Sequence, residues 1–306
     1  MKSDSTPTRN RTYQNFVMDS TYWDEYEARD NDIIISTSYK SGTTWMQRIC
    51  AALIFQSDSL TSPLDKLSPW LEARYQSKET VLSYLKSLTY RRFIKSHLPL
   101  NGIPYNPRVK YIVVGRNGLD VFMSFWNHWN NMRIEAIDNL NNIPDRHGEP
   151  FPYPPMDISI AFQDWLTTSS IKWETDGFPF WSHLDHIKSW WRFRHLDNVL
   201  FVHFNELLAD LDAEMRKISA FLNIPVKESN WHELVKSASF NAMKSQANQL
   251  VPASTINLWK DSSKFFNKGI NNQWKSVLPE TLVEVYHQKA RKKLGKKLST
   301  WLEQGT

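Results

Sequence analysis

Cysteine is nearly missing from the 306-residue chain: Cys50 stands alone, so neither an intramolecular disulfide nor a cysteine-based metal cluster can be assembled. That scarcity suits a reducing compartment, and a cytoplasmic location is expected. Long apolar runs are missing too. The longest, Ala51 to Phe55 and Tyr111 to Val114 among them, fall far below the roughly 18 residues that span a bilayer, so no membrane partner is expected. Residues 1–11 lack the apolar stretch of a secretory signal, and residues 1–15 read as a polar N-terminal tail. Nor is there a large excess of one charge, since 37 basic residues face 32 acidic ones for a net +5. The surplus is local. Lys289, Arg291, Lys292, Lys293, Lys296 and Lys297 supply six positive charges within nine residues, and the remainder is 31 basic against 32 acidic. Basic residues late in a helix complement its dipole, so this cluster reads as a solvated helix face and nucleic acid is not expected as a partner.

What is present suffices for a folded core: 41% apolar residues, 13% aromatic and 23% charged. Asp32 to Thr37 (DIIIST) predicts a buried strand, and Trp45, Ile49 and Leu53 recur at helical spacing after a Lys-Ser-Gly turn, with Thr43 or Thr44 opening the helix. Arg92 to Lys95, Val109 to Gly115 (VKYIVVG) and Val199 to Phe204 (VLFVHF) predict further strands. Helical periods follow at Val121, Phe125, Trp129 and Met132, at Leu207 through Leu222, and from about Pro279 to Leu302. Residues 139–155 hold five prolines without a periodic pattern and read as a surface loop or flap. Strands alternating with helices predict an α/β fold: a single domain over 1–306, with a central, mostly parallel sheet flanked by helices and a phosphate-binding loop after the first strand.

That loop, Ser38 to Trp45 (SYKSGTTW), carries chemistry. Between a strand and a helix it aims backbone N–H groups and the positive helix end at one point, while Gly42 permits close approach. Lys40 adds a cation and Ser41, Thr43 and Thr44 add hydroxyls. Walker spacing is absent, because Lys40 precedes Gly42 and no earlier glycine exists. A second anion feature is Arg116, at the end of VKYIVVG, with Ser124 eight residues on. The plainer reading, in which Arg116 pairs with Asp120, stands beside it. His183, His186 and His195 lie without Asp or Glu at ligand spacing and read as surface or packing residues, with no metal site.

These residues resemble the cytosolic-type sulfotransferases, which use 3'-phosphoadenosine 5'-phosphosulfate (PAPS), and the likeness spans nearly the whole chain. Ser38 to Trp45 is similar to that family's 5'-phosphosulfate loop, Arg116 to Ser124 (RNGLDVFMS) to its 3'-phosphate segment and Lys95-Ser96-His97 to its catalytic histidine strand. Trp181 to Trp191 resembles its HxxxWW-type helix, and Lys268-Gly269 its late phosphate loop. The resemblance implies that Lys40, Ser41, Gly42, Thr43 and Thr44 hold the 5'-phosphosulfate, and that Arg116, Ser124, Asn267, Lys268 and Gly269 serve the 3'-phosphate. Trp45, Phe204 and Phe240 would flank adenine. Asn267 stands where an arginine is usual, Phe204 where a tyrosine is, and Ala238 where a hydroxyl residue is. The family's KxTVxxxE dimer pattern is not matched by Lys275 to Glu284, so the oligomeric state is left open.

The chemistry implied is sulfuryl transfer to a hydroxyl or amine of a small-molecule acceptor, without a metal. His97 is the general base, being an imidazole that is neutral near pH 7. Lys40 neutralises the leaving phosphate oxygen, Ser41 moderates Lys40, and Lys95, on the same strand face as His97, assists at the sulfuryl oxygens. Phe16, Trp70, His97, His128 and Trp129 are the candidates for the acceptor pocket. The alternatives are a phosphate-loop small-molecule kinase and a non-catalytic polyanion-binding protein using residues 289–297.

Overall fold

The computed structural model describes residues 6–250, 258–265 and 269–305. Its centre is a four-stranded parallel sheet of β1 (Ile33–Thr37), β2 (Phe93–Ser96), β3 (Lys110–Gly115) and β4 (Val199–His203), in the order β2-β1-β3-β4. Every residue of β1 is buried, as expected of a β-branched strand covered on both faces. Registers such as Ile33↔Phe93, Thr37↔Val114 and Gly115↔His203 align the carboxyl ends of the strands along one edge. The chain adds β2 on one side of β1 and then crosses to lay β3 on the other. Between β1 and β3 the winding reverses, and crevices outside strand carboxyl ends at such points are where open α/β sheets bind ligands.

The α/β architecture is the one expected from sequence, with five differences that have physical causes. The helix read continuously through Leu207 to Leu222 is two, Phe204–Ala209 and Leu211–Leu222, because the Asp210 carboxylate accepts from Ala213 N and caps a new start. The last helix, Glu280–Gln304, is interrupted at Gly295, which takes φ 75°. Within it, Lys289 and Lys293 do not belong to a solvated face: Lys289 Nζ donates to the carbonyls of Leu166 and Thr175, each at 2.7 Å, and Lys293 pairs with Asp176 and Asp185 at 2.7 and 2.6 Å. The basic cluster is thus partly spent on internal partners.

The remaining two differences concern segments beside the cavity. Residues 1–15 are not a free tail over their described part, because Tyr13 and Asn15 are buried and Asn10 N and Arg11 N both donate to Asn101 O. The supposed flap begins inside a helix, Ile134–Asn141, and is pinned where Asn141 exchanges two hydrogen bonds with the backbone of Phe151, whose ring is buried against Phe16, Trp129 and Phe180. An aromatic anchor needs no periodicity, which is why the pattern gave no sign of it.

Candidate active site

A cavity of about 550 Å³ opens at the carboxyl edge of β1, β2 and β3. Its first wall is the turn from β1 into helix α1 (Thr43–Phe55). Two residues there take positive φ, Lys40 at 58° and Gly42 at 104°. This turns the chain so that the unpaired amides of the first helical turn face the cavity. A Cβ on Gly42 would lie 3.0 Å from the ring of Phe204, so close packing as well as φ selects glycine. Gly42, Thr43, Thr44 and Trp45 line the cavity. Ser41 does not: it is fully buried, its Oγ 2.9 Å from Ser38 Oγ and 3.4 Å from the carbonyl of Tyr39, which leaves the cavity to its neighbours.

The second wall is Arg116, one residue past β3. Its Nη1 donates to Lys40 O at 3.0 Å and its Nη2 to Asn271 Oδ1 at 3.1 Å, while its plane lies 4.0 Å over Phe204. The carboxylate of Asp120 instead accepts from Asn272 N, so the pairing with Arg116 is not the arrangement found. Arg116 Nε is buried without a hydrogen-bond partner among the described residues. A buried guanidinium N–H left unpaired calls for an acceptor, and an anion in the cavity would supply it. Burial lowers the Arg116 pKa to about 10. His183, expected as a surface or packing residue, is buried and locks the two walls together: its Nε2–H donates to Arg116 O at 3.0 Å and its Nδ1 accepts from Ser38 Oγ.

Ser124, Phe204, Phe240 and Gly269 line the same cavity. Trp45 crosses Phe204 edge to face at 5.3 Å and donates its indole N–H to Ala238 O, which gives a flat apolar slot at this end. Gly269, at φ 65°, could carry no Cβ, because one would fall 2.5 Å from the Phe240 ring. Asn267 and Lys268 lie outside the described residues.

His97 stands just past the end of β2. Its Nδ1 is 2.8 Å from the carbonyl of Thr37, and a carbonyl only accepts, so Nδ1 carries the proton and Nε2 of the neutral ring keeps its lone pair. Burial, then the Lys95 charge, hold its pKa well below the usual imidazole value. The ring lies 4.9 Å from Trp70 and 5.7 Å from Trp181. Its peptide N–H donates to Glu72 Oε1 at 2.6 Å, a partner that sequence reasoning missed because an isolated Glu in an irregular stretch carries no pattern.

Lys40 and Lys95 both line the cavity and are half-buried there. Loss of hydration lowers Lys40 to about 7, helped by the charges of Arg116 and Lys95, and lowers Lys95 to about 8. Lys40 Nζ rests 3.1 Å from Nδ1 of His128, and Lys95 Nζ lies 4.3 Å over the Trp70 ring. Five cationic or imidazole groups, Lys40, Lys95, Arg116, His97 and His128, therefore crowd one hollow, an arrangement that a multiply charged anion would relieve.

Beyond His97 the walls are mostly aromatic and aliphatic, with Asp65, Lys66, Gln76 and Thr80 also lining the cavity. Phe16, Trp70 and His128 line the cavity; Trp129 does not, being buried against Phe125 and Phe151 with its N–H on Pro152 O. Tyr75, Phe151, Phe180 and Trp181 line this end unforeseen.

Residues 30–297 match the family model described as Sulfotransferase domain. The chain is 30% identical to the glycolipid sulfotransferase of Mycobacterium bovis over 319 residues, covering 100% of this chain and 98% of that protein. It is 29% identical to the amine sulfotransferase of Oryctolagus cuniculus, covering 82% and 77%. In fold it is similar to mouse sulfotransferase SULT7A1, solved in complex with PAP, with a TM-score of 0.69, 23% identity and 92% of each chain covered. The chain belongs to the sulfotransferase family and is an enzyme of that class.

Proposed function

We propose that this sulfotransferase moves a sulfuryl group from PAPS to a hydroxyl or amine of an acceptor, with His97 as general base. The observation that carries the reading is the tautomer of His97. Thr37 O holds the proton on Nδ1, and the lone pair of Nε2 remains beside an anion-binding turn, free to take the acceptor proton. The donor fits the residues present, since Arg116 Nε, without a hydrogen-bond partner among the described residues, and the amides of the Lys40–Thr44 turn both seek anionic oxygens. The turn would hold the 5'-phosphosulfate, Arg116 and Ser124 the 3'-phosphate, and Trp45, Phe204 and Phe240 the base. When bound, the donor supplies the sulfur electrophile and leaves with the electron pair of its broken S–O bond on the 5'-phosphate. Lys40 meets that charge, and Lys95 faces the sulfuryl oxygens.

The acceptor end is mostly apolar, so an acceptor with an apolar body would bury it there while presenting its hydroxyl or amine to His97. Relatives named for glycolipids and amines are consistent with such an amphiphile. The test uses two labels, PAPS labelled at sulfur and ATP labelled at its γ-phosphate, against phenols, alcohols, amines and glycolipids. Transfer from sulfur alone is expected. Phosphoryl transfer from ATP without sulfuryl transfer would favour the small-molecule kinase and overturn this reading.

A further inference from the structure

β2 is an edge strand, and its ladder with β1 ends at the pair Ser36↔Ser96. The next peptide, that of His97, has lost its strand partner exactly where the reaction needs a fixed imidazole. Glu72 fills the gap. This carboxylate is fully buried; Oε1 accepts from His97 N at 2.6 Å and from Ser96 Oγ at 2.9 Å, and Oε2 accepts from Trp23 Nε1 at 3.0 Å. The stretch that carries it is itself tied to β2, because Lys95 N donates to Pro69 O at 2.9 Å. Its own main chain is pinned as well, since Glu72 O accepts from Asp19 N at 2.8 Å. Two residues earlier, Trp70 sets its ring edge to face with His97.

A buried carboxylate is costly unless its lone pairs are filled, and here three donors from two separate stretches fill them. Two of those donors belong to Ser96, the last residue of β2, and to His97 just after it. The ring of His97 is held on one side by Thr37 O, and its backbone on the other by Glu72, so the direction in which Nε2 points is fixed at both ends.

We propose that Glu72 is a positioning residue for sulfuryl transfer, orienting the His97 imidazole through the peptide between Ser96 and His97. It touches no reacting atom. The inference rests on His97 as the base, and the test separates the two. His97→Ala is assayed first; normal turnover in that variant would sink the general-base reading itself. With that settled, Glu72→Ala should lower kcat on the order of 10²-fold, the scale expected for a base displaced by about an ångström, while the PAP dissociation constant and acceptor KM change little.

Glu72→Gln should also lose kcat, because one amide cannot accept from all three donors: with Oε1 kept on His97 N, its NH₂ group meets the Trp23 N–H. The double variant Glu72→Gln with Trp23→Phe removes that clash and should recover most of the lost kcat. A merely structural role would instead lower kcat, PAP affinity and melting temperature together in every variant, with no recovery in the pair. Nitrogen-15 shifts of the His97 ring give an independent reading should Glu72→Ala fold poorly. In the folded Glu72→Gln protein they should show a less uniform Nδ1–H tautomer, and an unchanged tautomer with unchanged kcat overturns the proposal.

Discussion

At the proposed donor end of the cavity, the frame is main chain: Lys40 and Gly42 hold positive φ, helix α1 begins at Thr43, and Arg116 donates to Lys40 O. The acceptor end has no such frame. Side chains from scattered stretches, among them Phe16, Trp70, Tyr75, Phe151 and Phe180, converge there without a shared backbone motif. The contrast follows from what each ligand offers. A phosphate is the same in every donor molecule and is met by fixed N–H geometry, whereas an apolar acceptor body is met by shape, which side chains can change without disturbing the fold.

The sharpest way to divide the two ends is at the residue between them. His97→Ala should lower kcat by about 10²- to 10⁴-fold, the range for loss of a general base, with PAP affinity unchanged by calorimetry. Loss of PAP binding in that variant would mean that His97 holds the donor, and the two ends would not be separable.

Arg116→Ala attacks the donor end alone. A hydrogen bond between charged partners is worth about 1.5–3 kcal/mol, so PAP affinity should weaken by roughly 10- to 100-fold while discrimination among acceptors persists. Gly42→Ala should weaken PAP binding by a smaller factor, through backbone strain of about 1–3 kcal/mol and the contact with Phe204. A wild-type dissociation constant in either variant, measured by titration, would contradict the placement of the donor.

Proton linkage offers a finer test. Lys40 in the ligand-free enzyme sits near 7, depressed by burial and by its cationic neighbours, so above that pH it is largely neutral. An anion beside it favours the charged form and raises its pKa. Binding at pH 8 should therefore take up protons, and affinity should rise as pH falls from 9 towards 7. Calorimetry in buffers of different ionisation heat reads the uptake, and Lys40→Arg, which stays charged, should reduce it. The smallest effect belongs to the acceptor end: Tyr75→Ala removes an exposed ring packed against Trp70. It should raise acceptor KM by roughly 2- to 10-fold, the worth of one aromatic contact, and leave PAP affinity alone.

The same contrast explains what could be read from the residues alone. Strands whose faces are all buried announce themselves as continuous β-branched runs, and the turn after β1 did so because Lys40, Gly42, Thr43 and Thr44 fall within five residues. His97 was legible only through the Lys95-Ser96-His97 run that closes β2. Glu72 and His183 were not, because each acts through hydrogen bonds to residues far away in sequence: Glu72 to His97, and His183 to Ser38 and Arg116. Ser41 shows the opposite error. Its place in the motif suggested a ligand contact, but its side chain turns into the protein, a direction that φ at Lys40 and Gly42 decides and composition does not. Trp129 was misplaced for a similar reason, since one face of a helix looks alike in sequence whether it meets a core or a cavity.

The most direct measurement is a crystal structure of the protein soaked with 3'-phosphoadenosine 5'-phosphate. The account requires the 5'-phosphate on the Lys40–Thr44 turn, the 3'-phosphate on Arg116, and Nε2 of His97 facing the open side of the 5'-phosphate. A nucleotide bound elsewhere, or His97 turned away from it, would contradict the account.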